Sequence, residues 1–284
     1  MSQAVKTVGK IPTCRLLDYE IPRNGIMEVT MKKIAVVTGA SGGIGQAFVR
    51  ELVRESLDEI WVVGRNSQRL LALKSEYGEN IIPIPMDLTS NEDLHSFHDL
   101  LKKEMPSVLW LVNNAGMARM APSMDFSFSE TEQTIDLNCK VPAVLIHFCI
   151  PFMEKGAKIL NISSASAFQP VPHLNLYAAT KAFLRNYSRA LNAELGSCGI
   201  TVTAVCPGWV DTDLLTREMN GKKIRFPGIV SPEKVARKAL KDAKAGRDMS
   251  VCSLYVKCQH LNVKLLPQRL TMKLWLYGIR KYLV

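Results

Sequence analysis

KIAVVTGASGGIG, running from Lys33 to Gly45, is the stretch on which the fold turns. Lys33–Thr38 is a short apolar run rich in β-branched side chains, as expected of a strand buried on both faces. Glycines at 39, 43 and 45 then let the backbone turn sharply and approach a ligand closely, before a helix expected from about Ile44 to Glu55. The N-terminus of such a helix presents amide N–H groups and the positive end of the helix dipole, which together suit a pyrophosphate. The spacing is G-x-x-x-G-x-G, not G-x-G-x-x-G. The loop alone is weak evidence, and its place between strand and helix carries the weight.

Outward from this stretch the same alternation repeats. Short apolar runs at Glu59–Val63, Ile81–Ile84, Val108–Val112, Lys158–Ile162 and Thr201–Val205 read as strands. Helical stretches are expected at 67–77, 90–103, 129–154 (interrupted near Pro142), 175–197 and 231–246. A last short strand is expected near Ser250–Tyr255. Repeated β-α-β units require a parallel sheet with helices on both faces, here an α/β, Rossmann-type doubly wound sheet of about seven strands. Ligands bind such sheets beyond the carboxyl ends of the strands, where strand order reverses.

Composition is that of an ordinary globular chain: 284 residues, 47% hydrophobic and 22% charged. Residues 1–30, with Pro12, Pro22, Asn24 and Gly25 and no sustained period, are expected to be a poorly ordered extension without the apolar core of a secretory signal. Residues 31–255 form the expected catalytic domain. Scattered cysteines without a CxxC pair suit a reducing cytoplasm, with no disulfide framework and no metal site. No run approaches the ~20 apolar residues that span a bilayer. The formal net charge of +10 points to anionic partners, yet no acidic residue follows Asp248, while Lys257, Lys264, Arg269, Lys273, Arg280 and Lys281 do. No nucleic-acid-binding module accompanies this charge, so nucleic acid is not an expected partner.

The second strand ends Val63-Gly64-Arg65-Asn66, without the carboxylate that would hold the ribose 2′-hydroxyl of NAD(H). A guanidinium at Arg65 suits the 2′-phosphate of NADP(H), so NADP(H) is expected ahead of NAD(H). Tyr177 and Lys181 are four residues apart on an expected helix and so share a face. A phenol titrates near ~10, and a neighbouring cation favours its ionised form, which would make a tuned acid/base. Taken alone, Y-x-x-x-K also occurs by chance. Ser163 and Ser164 at the fifth strand's end, Asn113-Asn114-Ala115-Gly116 at the fourth, and PGWVDT (207–212) after the sixth all fall where a site should be built.

With these motifs in order over about residues 32–215, the chain resembles the short-chain dehydrogenase/reductase family, in particular NADP(H)-preferring carbonyl reductases and hydroxysteroid dehydrogenases. The resemblance implies a catalytic set of Ser164, Tyr177, Lys181 and Asn138, with Ser163 competing for the serine role. It implies cofactor contacts from Gly39, Ser41, Gly43, Ile44 and Gly45, from Arg65 and Asn66, and from Asp87 and Leu88 beside the adenine. Asn114, Ala115, Gly116, Tyr177 and Lys181 would complete that lining, with Pro207, Gly208, Val210 and Thr212 closing over the nicotinamide. The implied reaction interconverts a ketone and a secondary alcohol, with Tyr177 as acid or base and Asn138 anchoring a water. Homo-oligomers, dimers or tetramers, are implied as well.

The substrate side is expected in a lid at 214–230 and in residues 256–284. Met117, Met120, Met124, Phe168, Val171, Pro172 and Leu174 could line an apolar pocket or be ordinary core, and a bulky hydrophobic carbonyl or alcohol, steroid-like or otherwise cyclic, is the expected substrate. A 3-oxoacyl reductase acting on an acidic acyl carrier protein is the alternative. A non-catalytic cofactor-binding regulator is a third reading, against which the presence of both Tyr177 and Lys181 argues. Helical spacing over 268–284 puts Met272, Trp275, Ile279, Tyr282 and Leu283 on one face and Arg269, Lys273 and Arg280 opposite. Such a helix either packs on the pocket or a subunit neighbour, the commoner behaviour, or lies in a membrane interface.

Overall fold

Six apolar runs become parallel strands of one sheet: β1 (Lys33–Thr38), β2 (Glu59–Gly64), β3 (Ile81–Pro85), β4 (Ser107–Asn113), β5 (Lys158–Ile162) and β6 (Thr201–Val205). These come from a computed structural model that describes residues 31–284 apart from 214, 216, 220 and 284; the expected N-terminal extension lies outside the described residues. Between the strands run α1 (Gly43–Leu52), α2 (Ser67–Tyr77), α3 (Asn91–Glu104), α4 (Phe128–Ile135), α5 (Val141–Cys149) and α6 (Asn175–Leu195). A two-residue hairpin, β7 (Glu218–Met219) with β8 (Lys222–Lys223), precedes α7 (Pro232–Lys244), β9 (Met249–Ser250), α8 (Leu254–Leu265) and α9 (Gln268–Leu283).

The seven-stranded sheet has the order β3-β2-β1-β4-β5-β6-β9, every pair parallel. Its strands alternate their buried side chains between two cores. Ala35, Val37, Ile60 and Val62 meet α1, α2 and α7 on one face. Ile34, Val36, Trp61 and Val63 meet α3, α5 and α6 on the other. Helices on both faces of a parallel sheet make this the expected Rossmann-like doubly wound fold. Strand order reverses between β1 and β4, so the crevice at their carboxyl ends is the switch point where a ligand belongs.

Helix ends follow their sequence signals. Ser90 accepts from the Asp93 amide, with Glu92 and Asp93 in the first turn of α3 and Lys102 and Lys103 in the last. Ser127 and Glu130 form a reciprocal capping box on α4. Between α4 and α5, Asp136–Lys140 is a π-helical turn just before Pro142, the expected interruption.

Four expectations change. The strand near Ser250–Tyr255 shrinks to Met249–Ser250, because Val256 and Val263 turn inward at helical spacing and draw the chain from Leu254 into α8. The aperiodic lid contains the β7–β8 hairpin. Phe128–Phe152 is a helical run long and apolar enough to cross a membrane by length and composition, although Val141, Leu145, Ile146 and Cys149 within it pack on the sheet as core. Cys139, Cys149, Cys206, Cys252 and Cys258 are free thiols, but Cys198 is disulfide-bonded, so the expected absence of disulfides does not hold there.

Candidate active site

The glycine loop is shaped by contacts that side chains would prevent. Gly39 has φ +59°, and a Cβ on it would stand 2.9 Å from Ala115 Cα. A Cβ on Gly45 would stand 2.2 Å from the Gly39 carbonyl oxygen, so the first turn of α1 sits directly on the loop. A Cβ on Gly43 would meet the Thr212 methyl at 2.7 Å, which brings the PGWVDT segment against the same loop. Gly42, the N-cap of α1, supplies no side-chain cap. The first amides of that helix are thus open to an anion.

Across the switch point Asn114 clamps the loop. Its Nδ2 donates to the Thr38 and Gly39 carbonyls, both at 3.0 Å. Thr38 Oγ1 accepts from the Asn114 and Ala115 amides at 3.0 Å. Thr38 was not among the expected site residues; its only sequence signal is a hydroxyl at the carboxyl end of β1.

Beside this loop, Ser41 Oγ lies against Gly64, next to the exposed Arg65. Asn66 caps α2, its side chain accepting from the Arg69 amide at 2.9 Å. The Thr89 hydroxyl and amide hold the Asp87 carboxyl below its ordinary range, with burial opposing and the charge of Arg65 adding to the effect. The Leu88 side chain is buried in the core, so only its main chain can face a ligand. Ile44 and Val210 likewise pack against the core.

At the ends of β5 and β6 the reactive set assembles on α6. Ser163 Oγ is buried and donates to the Lys181 carbonyl at 2.7 Å, which engages it with the helix backbone. Ser164 Oγ accepts from the Ser166 amide at 3.1 Å and lies beside the Tyr177 hydroxyl, near enough to lower its pKa. The geometry therefore separates the two serines: Ser164 meets the phenol. Lys181 Nζ donates to the Ile162 carbonyl at 2.8 Å and stands 5.6 Å from the centre of the Tyr177 ring.

The expected depression of the phenol by the cation is not found. Tyr177 is half-buried as a residue, but its hydroxyl end is deep, and burial pushes its pKa up against the lowering effect of Ser164. Burial also pushes Lys181 down, to about 8. Loss of hydration is the largest cause for both groups.

Asn138 is fully buried on the π-turn. Its Oδ1 accepts from the Met117 amide at 3.0 Å, and its Nδ2 donates to the Met117 carbonyl at 2.9 Å and to Thr180 Oγ1 at 3.0 Å. A Cβ on Gly116 would fall 3.1 Å from Asn138 Oδ1 and 3.2 Å from Lys181 Nζ, so these groups converge on one bare stretch of backbone.

The substrate side is partly redrawn. Met124 is 95% exposed and lines nothing, and Phe168 is buried under α8 with its ring centre 4.0 Å from that of His260. Val171 is buried, while Met117, Met120, Pro172 and Leu174 are half-buried near the crevice. In the lid, Phe226 packs edge-on to Trp209, and Val230 bridges to Val210. Gly208 lies beneath Val256 of α8 and Gly228 beneath Tyr255. Trp275 of α9 donates to the Pro172 carbonyl at 2.9 Å, so the inward face of that helix does fold over the loop before α6. Tyr282 and Leu283, expected on the same face, have side chains outside the described residues.

Residues 33–223 match the family described as short chain dehydrogenase. An uncharacterized oxidoreductase of Staphylococcus aureus (strain MW2) is 30% identical over 189 residues, 66% of this chain and 81% of that protein. Among solved structures, a short-chain dehydrogenase from Sphingobium yanoikuyae in complex with NADPH is similar with a TM-score of 0.70 and 26% identity, covering 85% of this chain and 95% of the other. A bulky-bulky ketone specific alcohol dehydrogenase from Comamonas testosteroni is similar with a TM-score of 0.67 and 26% identity, covering 85% and 94%.

Proposed function

Because the chain belongs to the short-chain dehydrogenase family and is an oxidoreductase, we propose that it interconverts a ketone and a secondary alcohol with NADP(H), on a bulky hydrophobic substrate. The observation that carries this reading is the meeting of Ser164 and Tyr177, with Lys181 one helical turn on, at the carboxyl edge of the sheet. The open first turn of α1 behind bare glycines fits a dinucleotide phosphate. The likeness to an NADPH complex and to a ketone-specific enzyme supports the cofactor and the substrate class.

When bound, the cofactor supplies or accepts the hydride. In reduction Tyr177 Oη donates its proton to the substrate oxygen, and Ser164 Oγ holds that oxygen in line. Burial that raises the phenol keeps it in the protonated, donating form. Lys181 holds the ribose and carries the proton that restores Tyr177. The Asn138 side chain is engaged with Met117 and Thr180, so the anchoring of a relay water falls to its main-chain carbonyl. Gly39, Ser41, Gly43 and Gly45 receive the pyrophosphate, Arg65 the 2′-phosphate, and Thr212 the carboxamide.

A panel of cyclic and steroidal ketones and a 3-oxoacyl thioester, each with NADPH and NADH, tests this reading by absorbance. Turnover of the cyclic ketones with NADPH is expected. Arg65→Ala should lower the NADPH-over-NADH preference about 10- to 100-fold, the effect of losing charge-assisted hydrogen bonds. An unchanged ratio removes Arg65 from the site. Faster turnover of the thioester would favour the acyl-carrier alternative, which the exposed cations of the C-terminal helices also suit.

Lys181 must be charged in this scheme, and its pKa is about 8. The charged form is present below that value and lost above it. In the reductive direction, kcat/KM for NADPH, which reports the free enzyme, should hold to about pH 8 and then fall about tenfold per unit. A profile flat to pH 10 would overturn a loss of the Lys181 charge near pH 8 as the limit on the reaction.

Exposed Phe128, Ile135 and Phe183 on α4 and α6 offer a face for a homo-dimer or tetramer. The buried free thiols Cys149 and Cys206 suit a cytoplasmic setting, and the disulfide at Cys198 argues against one.

A further inference from the structure

Helices α8 and α9 share a three-sided arrangement that hydride chemistry does not require. On α8, Val256 and Val263 pack with Phe168, Cys206 and Val251. At 3.6 residues per turn, the side directly opposite carries Leu254, Cys258, Leu261 and Leu265. All four are exposed, Leu254 to 75% and Leu265 to 72%. Lys257 and Lys264 run along one flank of that stripe.

The pattern repeats on α9. Thr271, Met272, Trp275 and Ile279 face the body of the protein. Opposite them stand Leu270, Leu274 and Tyr277, the last 81% exposed. Arg269, Lys273 and Arg280, expected opposite the inward face, instead line one flank, all exposed. No acidic residue occurs after Asp248. Single exposed apolar residues are ordinary on a protein surface, but stripes at helical spacing on two successive helices are not.

We propose that the outward face of α8 and α9 is a docking surface for an anionic lipid bilayer. Leucines and a tyrosine enter the boundary between headgroups and acyl chains, and the flanking lysines and arginines extend to the lipid phosphates. Charge selects this occupant over a second copy of the chain. Two such faces brought together would oppose cation to cation with no carboxylate between them. The proposal stands apart from the hydride reading, since binding to vesicles needs no turnover.

The test is co-sedimentation of the full-length protein with vesicles of phosphatidylcholine alone, or of equal parts phosphatidylcholine and phosphatidylglycerol. The protein is expected to sediment with the mixed vesicles, far less with phosphatidylcholine alone, and to be released by salt at ~1 M, where screening shortens to ~3 Å. The Lys264→Gln, Arg269→Gln, Lys273→Gln triple variant should lose about fivefold per cation, about a hundredfold in partitioning. Leu261→Asp with Leu274→Asp should abolish binding. These positions are exposed, and an unchanged melting temperature verifies that each variant is folded. Failure of the wild type to bind mixed vesicles overturns the proposal. So does binding that survives both sets of substitutions. Conversion of an oligomer to a monomer by the leucine substitutions, without lipid, would identify a second copy as the occupant and overturn it equally.

Discussion

Tyr177→Phe should leave a folded, cofactor-binding protein whose kcat on its best ketone falls by about 10²–10⁴. The substitution deletes one oxygen and keeps the ring. That ring lies under Lys181 Nζ, and the helix around it is held by contacts that do not involve the hydroxyl: Ser163 on the Lys181 carbonyl, Thr180 on the Tyr177 carbonyl, Asn138 on Thr180. Packing is therefore preserved while the proton donor is lost. Measurement of kcat with melting temperature and NADPH affinity separates the two effects. Turnover close to wild type would mean that another group delivers the proton and that the assigned mechanism is wrong.

Gly45→Ala acts through the frame instead. The added carbon would lie 2.2 Å from the Gly39 carbonyl oxygen, 2.8 Å from Ala40 Cα and 2.8 Å from Asn114 Nδ2. Two of these are backbone atoms of the loop, so no flexible side chain can yield. Either α1 lifts from the loop or the loop leaves Asn114. Overpacking of this kind destabilises by about 3 kcal/mol or more, which for a domain of this size lowers Tm by roughly 6–12 °C. Cofactor affinity should fall with it, because the open amides of α1 move away from the loop. Thermal unfolding with and without NADPH reads both, and an unshifted Tm would show that the contact relaxes freely. Gly42→Ala is the internal comparison, since its nearest contact would be an ordinary 3.6 Å.

The fold was legible because its signals are local and repeated. Each strand announces itself by an apolar run, and each crossover helix by caps such as Ser90, Ser127 and Ser231. The reactive residues were legible for a related reason, since Tyr177 and Lys181 share one helix and their spacing alone puts them on one face. What could not be read depends on contacts between distant segments. Ser163 and Ser164 differ only in which side of β5 each faces, and only the α6 backbone shows that Ser163 is engaged. Thr38 was overlooked because its role is to receive amides from β4, far along the chain. Met124 resembled a pocket residue by composition, yet the short helical turn at Ser123–Asp125 turns it to solvent. Likewise, the depth of the Tyr177 hydroxyl is a property of what packs over it. Neighbouring charge was readable in the sequence; loss of hydration was not.

The clamp between β1 and β4 also bears on how the chain is made. Thr38 and Val112, joined by the Thr38 hydroxyl, are 74 positions apart. A ribosome adding about 5–20 residues per second needs roughly 4–15 s to cover that distance. Throughout this interval β2 and β3 can already pair on one side of β1, while its other edge has no strand to receive it. The apolar Ile34–Val37 segment that starts the fold is thus also the stretch of nascent chain with the longest wait for its second neighbour, and the one most in need of shelter from a chaperone.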